Sequence, residues 1–371
     1  MFTMHSTLLI GNYDWDAERM PREEFQARIR EFHKRVPDVA GLAVYGDRRS
    51  NAELAYFGHL VPKLRDSAAL IPREGEPRML VAGGANAMPP AARQTWIGKN
   101  EPLVDLPKAL AQWHKELNGP VAVVGVDNVR LAVQRALFEA LGPGDASGRA
   151  AAAVRAMMRV KSPRELVEIR RACGMLKAAA ATLQDGVKAG KGVTDCMAQA
   201  EHEAVKMRAM EVRSLFSLDG GRTLRPYISP VARPVDPLLA YIAVRSGGYW
   251  AEGFIQAGKG SNESAAKAYE ALNKAIAAMK PGVSGRDVAR IARDAIAPLG
   301  EHPLTRASPG NAIGLALEEQ PLLSAESAVK LEAGDVYTVR IGASDGKERH
   351  AIVSAMVAVT DRGNEVLWSA A

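Results

Sequence analysis

The sequence predicts an α/β (α+β) protein of two domains, and three observations carry that expectation. The chain has 371 residues, more than one ordinary hydrophobic core serves. Residues 1 to about 155 alternate helical and strand patterns. The remainder opens with helix-period stretches and then offers strand-like runs in pairs, at Leu238–Ala257 and Asp335–Val359.

Taken in order, PREEFQARIREFHKRV (Pro21–Val36) reads as a helix, with Phe25, Ile29, Phe32 and Val36 spaced by three and four. GLAVYG (Gly41–Gly46), SAALIP (Ser67–Pro72), RMLVAG (Arg78–Gly83) and PVAVVGV (Pro120–Val126) read as short buried strands, with helical stretches between the later ones. GPGDASGRAAAA (Gly142–Ala153) is small and Gly-rich, a domain boundary signal. The expected domains are 1–155 and 156–371. Beyond the boundary, Ser162 is an N-cap, Pro163 the first helical residue and Glu165 the closing member of a capping box. Leu166, Ile169, Cys173 and Leu176 form one apolar stripe, so Cys173 belongs to a core. A helix within Gly192–Met210 follows. LLAYIAV and GGYWAEGFIQA are then joined by a turn at Ser246–Gly248. Helices come next at Asn262–Lys280, stopped by Pro281–Gly282, and within SGRDVARIARDAIAPLG. The last strands are Asp335–Ala343 and His350–Val359.

Composition narrows the function classes. Hydrophobic residues make up 47% and charged residues 24% of the chain, as in a water-soluble globular protein. No apolar run approaches the ~20 residues of a bilayer span, so no membrane partner is expected. The N-terminal stretch MFTMHSTLLIGNYDWDAE lacks the basic and apolar regions of a secretory signal. The two cysteines, Cys173 and Cys196, form neither a disulfide framework nor a metal cluster, and a reducing cytoplasm fits best. The net charge of +6 is spread among interleaved acids and bases, as in Arg22–Arg35. With no arginine tract and no aromatic–basic stacking motif, no nucleic-acid partner is expected.

Two segments, VRSGGYWAEGFIQA (Val244–Ala257) and GNAIGLALEEQP (Gly310–Pro321), carry a resemblance. With them the chain from about Arg159 to Trp368 resembles the creatinase, aminopeptidase P and prolidase family, the peptidase M24-like proteins. The resemblance implies a pita-bread domain over 156–371. It also implies a smaller creatinase-like α/β domain over 1–155, with SNAELAYFGHL (Ser50–Leu60) at the place of the family's strand-end motif. It implies a homodimer as well, in which Arg48 and Arg49 could reach the partner's site.

Active members of that family hold two divalent metals with two Asp, one His and two Glu. By the resemblance these positions fall on Tyr241, Glu252, Asn311, Arg340 and Ser354. Only Glu252 is a strong ligand for hard or borderline cations, and Arg340 brings a fixed positive charge. The expectation is therefore no metal and no cofactor. Creatinase itself works without metals through a histidine, whose position here is Tyr227 in DGGRTLRPY. A tyrosine of ordinary pKa near ~10 is a poor base at neutral pH but a useful hydrogen-bond donor. The family's His–Glu pair falls on Glu318–Glu319.

The expected pocket thus gathers Tyr227, Tyr241, Glu252, Asn311, Glu318, Glu319, Arg340 and Ser354, with His350 at its edge. Unpaired buried polar groups are costly, so such a set points either to a ligand or to an internal ion-pair network around Arg340. Glu252 or Glu319 is the expected base, and Tyr227 a proton donor. Glu318, Arg340, Tyr241, Asn311, Ser354 and His350 are expected to bind substrate. Crowded carboxylates would raise the pKa of one of them. His59, His202 and His302 are expected at the surface or on helix faces, and Trp250 in core packing. The function this implies is a metal-independent creatinase-like enzyme acting on a small polar molecule. C–N hydrolysis comes first, with lyase or isomerase chemistry open; the alternative is a non-catalytic pseudopeptidase that binds a peptide or protein.

Overall fold

The computed structural model describes residues 13–63, 65–141, 146–259, 263–297, 299–346 and 350–370. The N-terminal stretch up to Asn12, Gly142–Asp145 and Asn262 lie outside the described residues. The chain forms two compact units, Met1–Met158 and Arg159–Ala371.

The first unit runs α1 (Arg22–Arg35), β1 (Gly41–Gly46), α2 (Ala52–Gly58), β2 (Ser67–Pro72), β3 (Arg78–Val81), α3 (Met88–Gln94), β4 (Lys99–Pro102), α4 (Leu106–Glu116), β5 (Val121–Val124), α5 (Leu131–Leu141) and α6 (Ala146–Arg159). Its sheet has the order β4-β3-β2-β1-β5. Four of these strands match the apolar runs; β4, KNEP, has no apolar pattern and sits at an edge. α1 buries Phe25 and Phe32 as its spacing requires, and also Arg28. The Arg28 guanidinium lies 4.2 Å from the Tyr56 ring centroid and donates 2.7 Å to the Tyr56 carbonyl. That pairing lets a cation sit on the inner face. Two expectations change here. The Ser50–Leu60 segment is mostly helix α2, and the described part of the small-residue boundary segment is helix α6, because alanine favours helix over linker.

The second unit runs α7 (Pro163–Lys188), α8 (Val193–Lys206), β6 (Glu211–Phe216), β7 (Leu238–Ser246), β8 (Tyr249–Ala257), α9 (Glu263–Ala278), α10 (Gly285–Ile296), β9 (Gly310–Ala312), β10 (Glu319–Leu323), β11 (Val336–Ser344), β12 (His350–Thr360) and β13 (Gly363–Ser369). Its two sheets have the orders β6-β7-β8 and β10-β9-β11-β12-β13. α7 starts at the expected capping box, with Ser162 accepting from the Glu165 amide and Glu165 accepting from the Ser162 amide. Glu165 does a second job: its other oxygen accepts 3.0 Å from the Tyr249 hydroxyl, which pins β8 against α7. At the start of the unit Arg159 grips the buried Asp335 at 2.7 and 2.9 Å.

The β7–β8 hairpin turns through Gly247 and Gly248 at φ of 55° and 91°. A type I′ turn demands this left-handed conformation at both central residues. The second sheet packs one face on α9 and α10 through Tyr337, Val339, Ile341, Val353, Ala355 and Val357. By strand alternation Thr338, Arg340, Ile352 and Ser354 project from the opposite face. That face meets β8, where the Phe254 amide donates 2.7 Å to the Ser354 hydroxyl. No helix among the described residues is long and apolar enough to cross a membrane.

Candidate functional site

Of the five positions that the resemblance assigned to metal ligands, sheet register groups Tyr241 with Glu252 in one sheet and Asn311, Arg340 and Ser354 in the other. Tyr241 stands opposite Phe254, and Ala243 opposite Glu252. Tyr241 and Glu252 are therefore diagonal neighbours on one face, close enough for a long side chain to bridge. Arg340 stands directly opposite Ser354, and Asn311 opposite Thr338, two residues before Arg340. The hairpin is held beside the β9 loop by two bonds. The Trp250 amide donates 2.7 Å to the Gly314 carbonyl, and Arg245 donates 3.2 Å to the Leu315 carbonyl.

The result is a continuous polar chain. The Tyr241 hydroxyl donates to Glu252 Oε2 at 2.6 Å. Arg340 Nη1 donates to Glu252 Oε1 at 3.1 Å, and its Nη2 donates to Asn311 Oδ1. Asn311 spends both of its N–H groups on the Ala312 and Leu317 carbonyls, at 2.7 and 2.9 Å, so its oxygen is fixed toward Arg340. The Glu252 side chain is 3% exposed and that of Arg340 21% exposed; the charge is buried at one end of the pair and meets solvent at the other. Burial, followed by the Glu252 charge, pushes the Tyr241 hydroxyl well above its ordinary value. Tyr241 thus stays protonated and serves as a donor.

The remaining candidates lie elsewhere. Glu319 accepts from Lys161 Nζ at 2.6 Å and from the Ala316 amide at 3.1 Å, while Glu318 is exposed. The expected crowd of carboxylates therefore does not form. Glu319 begins β10 across from Ala312, and a buried lysine neutralises it. Tyr227 packs its ring on Phe216 and is partly exposed; burial and the Glu201 charge push its hydroxyl upward. Arg48 and Arg49 are exposed beside a turn in which Asp47 accepts from the Arg49 and Ser50 amides.

His59 and His302 correct the surface expectation, being 9% and 0% exposed. His59 bonds the Gln94 carbonyl at 2.9 Å. His302 lies over Gly342, where an added Cβ would come within 2.5 Å of it. Trp250 is buried, with the Arg213 and Arg245 guanidinium groups 4.7 and 5.2 Å from its ring centroid. His350 is buried at the start of β12, four residues before Ser354 on the same strand face. Sequence reasoning missed His302, Thr338 and Gln256. The period-2 alternation on β8 and β11 was the available signal for the last two; for His302 there was none.

The donor set does not fit the dinuclear centre implied by the fold family. Around Glu252 stand a phenol held protonated, an amide whose oxygen already accepts from Arg340, and a hydroxyl. A guanidinium bonded to the one carboxylate occupies the centre of the group. Divalent cations require several anionic or neutral lone-pair donors. Among the described residues no cluster of three His, Cys, Asp or Glu side chains could hold a metal ion.

Comparison with known proteins bears on the whole chain. It is similar to the X-Pro aminopeptidase from Thermotoga maritima MSB8, with a TM-score of 0.75, 20% identity and coverage of 93% of this chain and 97% of that one. It is also similar to the prolidase from Pyrococcus horikoshii OT3, with a TM-score of 0.72, 18% identity and coverage of 93% and 98%. These likenesses establish the two-domain pita-bread fold. A 99-residue stretch is 29% identical to the uncharacterized peptidase YqhT of Bacillus subtilis (strain 168), spanning 27% of this chain and 28% of that protein. The model of metallopeptidase family M24 matches residues 167–361. That is more than half of the chain, and the chain belongs to metallopeptidase family M24.

Proposed function

We propose that this chain is a metal-independent hydrolase of the creatinase-like kind, acting on the C–N bond of a small substrate that carries a carboxylate. The observation that carries this is the Arg340 guanidinium bonded to Glu252 and Asn311 at the metal positions. Among the similar proteins are a prolidase and an X-Pro aminopeptidase by name, which supports hydrolysis as the reaction class.

In this proposal Arg340, through its solvent-facing side, binds the substrate carboxylate or the oxyanion that develops on the attacked carbonyl. Glu252 has lone pairs to spare beyond its two hydrogen bonds. It takes a proton from water as the water oxygen bonds to the carbonyl carbon. The C–N bond then breaks and Glu252 returns the proton to the leaving nitrogen. Tyr241, held protonated, fixes the carboxylate from the other side. Tyr227, Glu318 and Glu319 take no part. A homodimer and a cytoplasmic location belong to the same proposal.

The test is a screen of N-acyl and N-carbamoyl amino acids and of ureas for amine release, with protein stripped by chelator and with added manganese or zinc. Turnover by stripped protein that is lost in Glu252→Gln is the expected result. Turnover only after metal addition, or full activity in Glu252→Gln, would overturn the proposal. A carboxylate that raises the melting temperature but is never turned over would leave a binding protein in place of an enzyme.

A further inference from the structure

We propose that the buried Lys161–Glu319 pair is a positioning device for the site. It fixes the loop between β9 and β10, and through that loop it holds the Asn311 amide in the orientation that presents its oxygen to Arg340. The inference rests on the anchoring role given above to Arg340. Glu319 has no share in the proton transfers of that reading and acts only through Asn311.

Asn311 is fully buried, and a side-chain amide can face a neighbour with either end. A guanidinium only donates, so the NH2 end would set donor against donor. The choice is made by the two carbonyls that take the Asn311 N–H groups, those of Ala312 and Leu317. Ala312 is the next residue of β9, and its carbonyl comes with the strand. Leu317 lies in the loop between Ala312 and Glu319. Its carbonyl reaches Asn311 only while that loop keeps its shape.

Glu319 closes the loop. One carboxylate oxygen accepts from the Ala316 amide at 3.1 Å, and the other accepts from Lys161 Nζ at 2.6 Å. The Ala316 carbonyl in turn accepts from the Gly314 amide at 3.2 Å. Lys161 is itself tied down: its amide donates 2.9 Å to the Gly334 carbonyl, and the next residue, Ser162, caps α7. Gly314 lies directly on the pair, since an added Cβ would come 2.8 Å from Lys161 Cε and 2.9 Å from Glu319 Oε1. On its other side the loop takes the two bonds from the hairpin that carries Glu252. One loop thus joins the start of α7, the strand of Glu252 and the amide that faces Arg340. Stability alone would be served as well by an apolar pair. What the carboxylate adds is an anchored acceptor for a loop amide, and small shifts in groups that support a site are costly to it.

The experiment is NMR measurement of solvent exchange at the Asn311 side-chain N–H groups, assigned by their loss in Asn311→Ser. Two double variants remove the charges together, so neither strands a buried ion. Lys161→Met with Glu319→Met leaves the Ala316 amide without this acceptor. Lys161→Met with Glu319→Gln keeps an oxygen for it. The first should exchange roughly tenfold faster than the wild type or more, through local opening of the loop, and the second should recover most of the protection. Equal exchange in the two would overturn the inference, because they differ only in that acceptor. Should the first fail to fold, Gly314→Ala wedges the loop from the pair with both charges kept. It should speed exchange likewise, and wild-type exchange in it would overturn the inference.

These readings need no substrate, so they stand apart from the hydrolase reading. Fast Asn311 exchange combined with wild-type kcat and KM on a substrate from the amine-release screen would leave the positioning intact and remove Arg340 as the anchor.

Discussion

Replacing Arg340 by methionine tests the central ion pair most directly. The Glu252 side chain is 3% exposed, and among the described residues Arg340 is the cation paired with it, at 3.1 Å. Removing one member of a buried pair costs about 3–5 kcal/mol, because the other charge stays buried without compensation. Arg340 is 21% exposed, which places the cost toward the lower end, about 3–4 kcal/mol. For a unit of about 210 residues that corresponds to a melting temperature lowered by roughly 6–16 °C.

Urea unfolding, with the slope checked for constancy, measures this deficit. Arg340→Met combined with Glu252→Met should recover at least 1 kcal/mol, since apolar replacement of both partners is often near neutral. A deficit below 1 kcal/mol would refute the claim that Glu252 is a buried charge held by Arg340.

Three further changes are open to the same assays. Burial, with the Arg73 charge second, holds His33 down to about 4. The unfolded chain therefore takes up the proton first as pH falls, and stability is full above about 6.5 and lost progressively toward 4, by no more than about 3 kcal/mol; His33→Leu should flatten that slope in the Met1–Met158 unit. Gly253→Ala would set a Cβ 2.2 Å from a Trp368 ring carbon, costing about 1–3 kcal/mol, and Trp368→Leu in the same chain should return part of it. Lys161→Met would strand Glu319, in a pair whose side chains are 2% and 10% exposed; about 3–5 kcal/mol should be lost, and a change under 1 kcal/mol would mean Glu319 is hydrated.

What the sequence made legible was local. The Ser162–Glu165 capping box needs only four residues, and the Gly247–Gly248 turn only two, so both could be read directly. β1 and β2 are short apolar runs with clear ends, and their limits coincide with those read from sequence. β9, β10 and β13 were not legible: each is short or polar and gains strand structure by pairing along an existing sheet. The fate of Glu319 was hidden because Lys161 lies 158 positions away. His302 reads as surface in EHPLT, yet it is buried because Gly342 leaves a space opposite it. Tyr227 was placed by resemblance alone, and its surroundings, Phe216 and Glu201, come from other elements.

The five register-related positions also bear on whether the pocket has merely decayed. In the metal-binding pattern, four carboxylates and one imidazole face two divalent cations. Loss of the ions alone would leave like charges crowded in a space of low dielectric, which is strongly unfavourable. Loss of all the ligands would call for apolar filling. This chain follows neither course. It keeps one carboxylate and supplies one guanidinium against it, so the formal charge at the five positions closes to zero within the chain. Asn311 accepts a further hydrogen bond from Arg340, and Tyr241 donates one to Glu252. Interlocking bonds of this kind hold Arg340 and Glu252 in one geometry, and one face of Arg340 remains open to solvent. An arginine held in that way suits the anion-binding role proposed for Arg340.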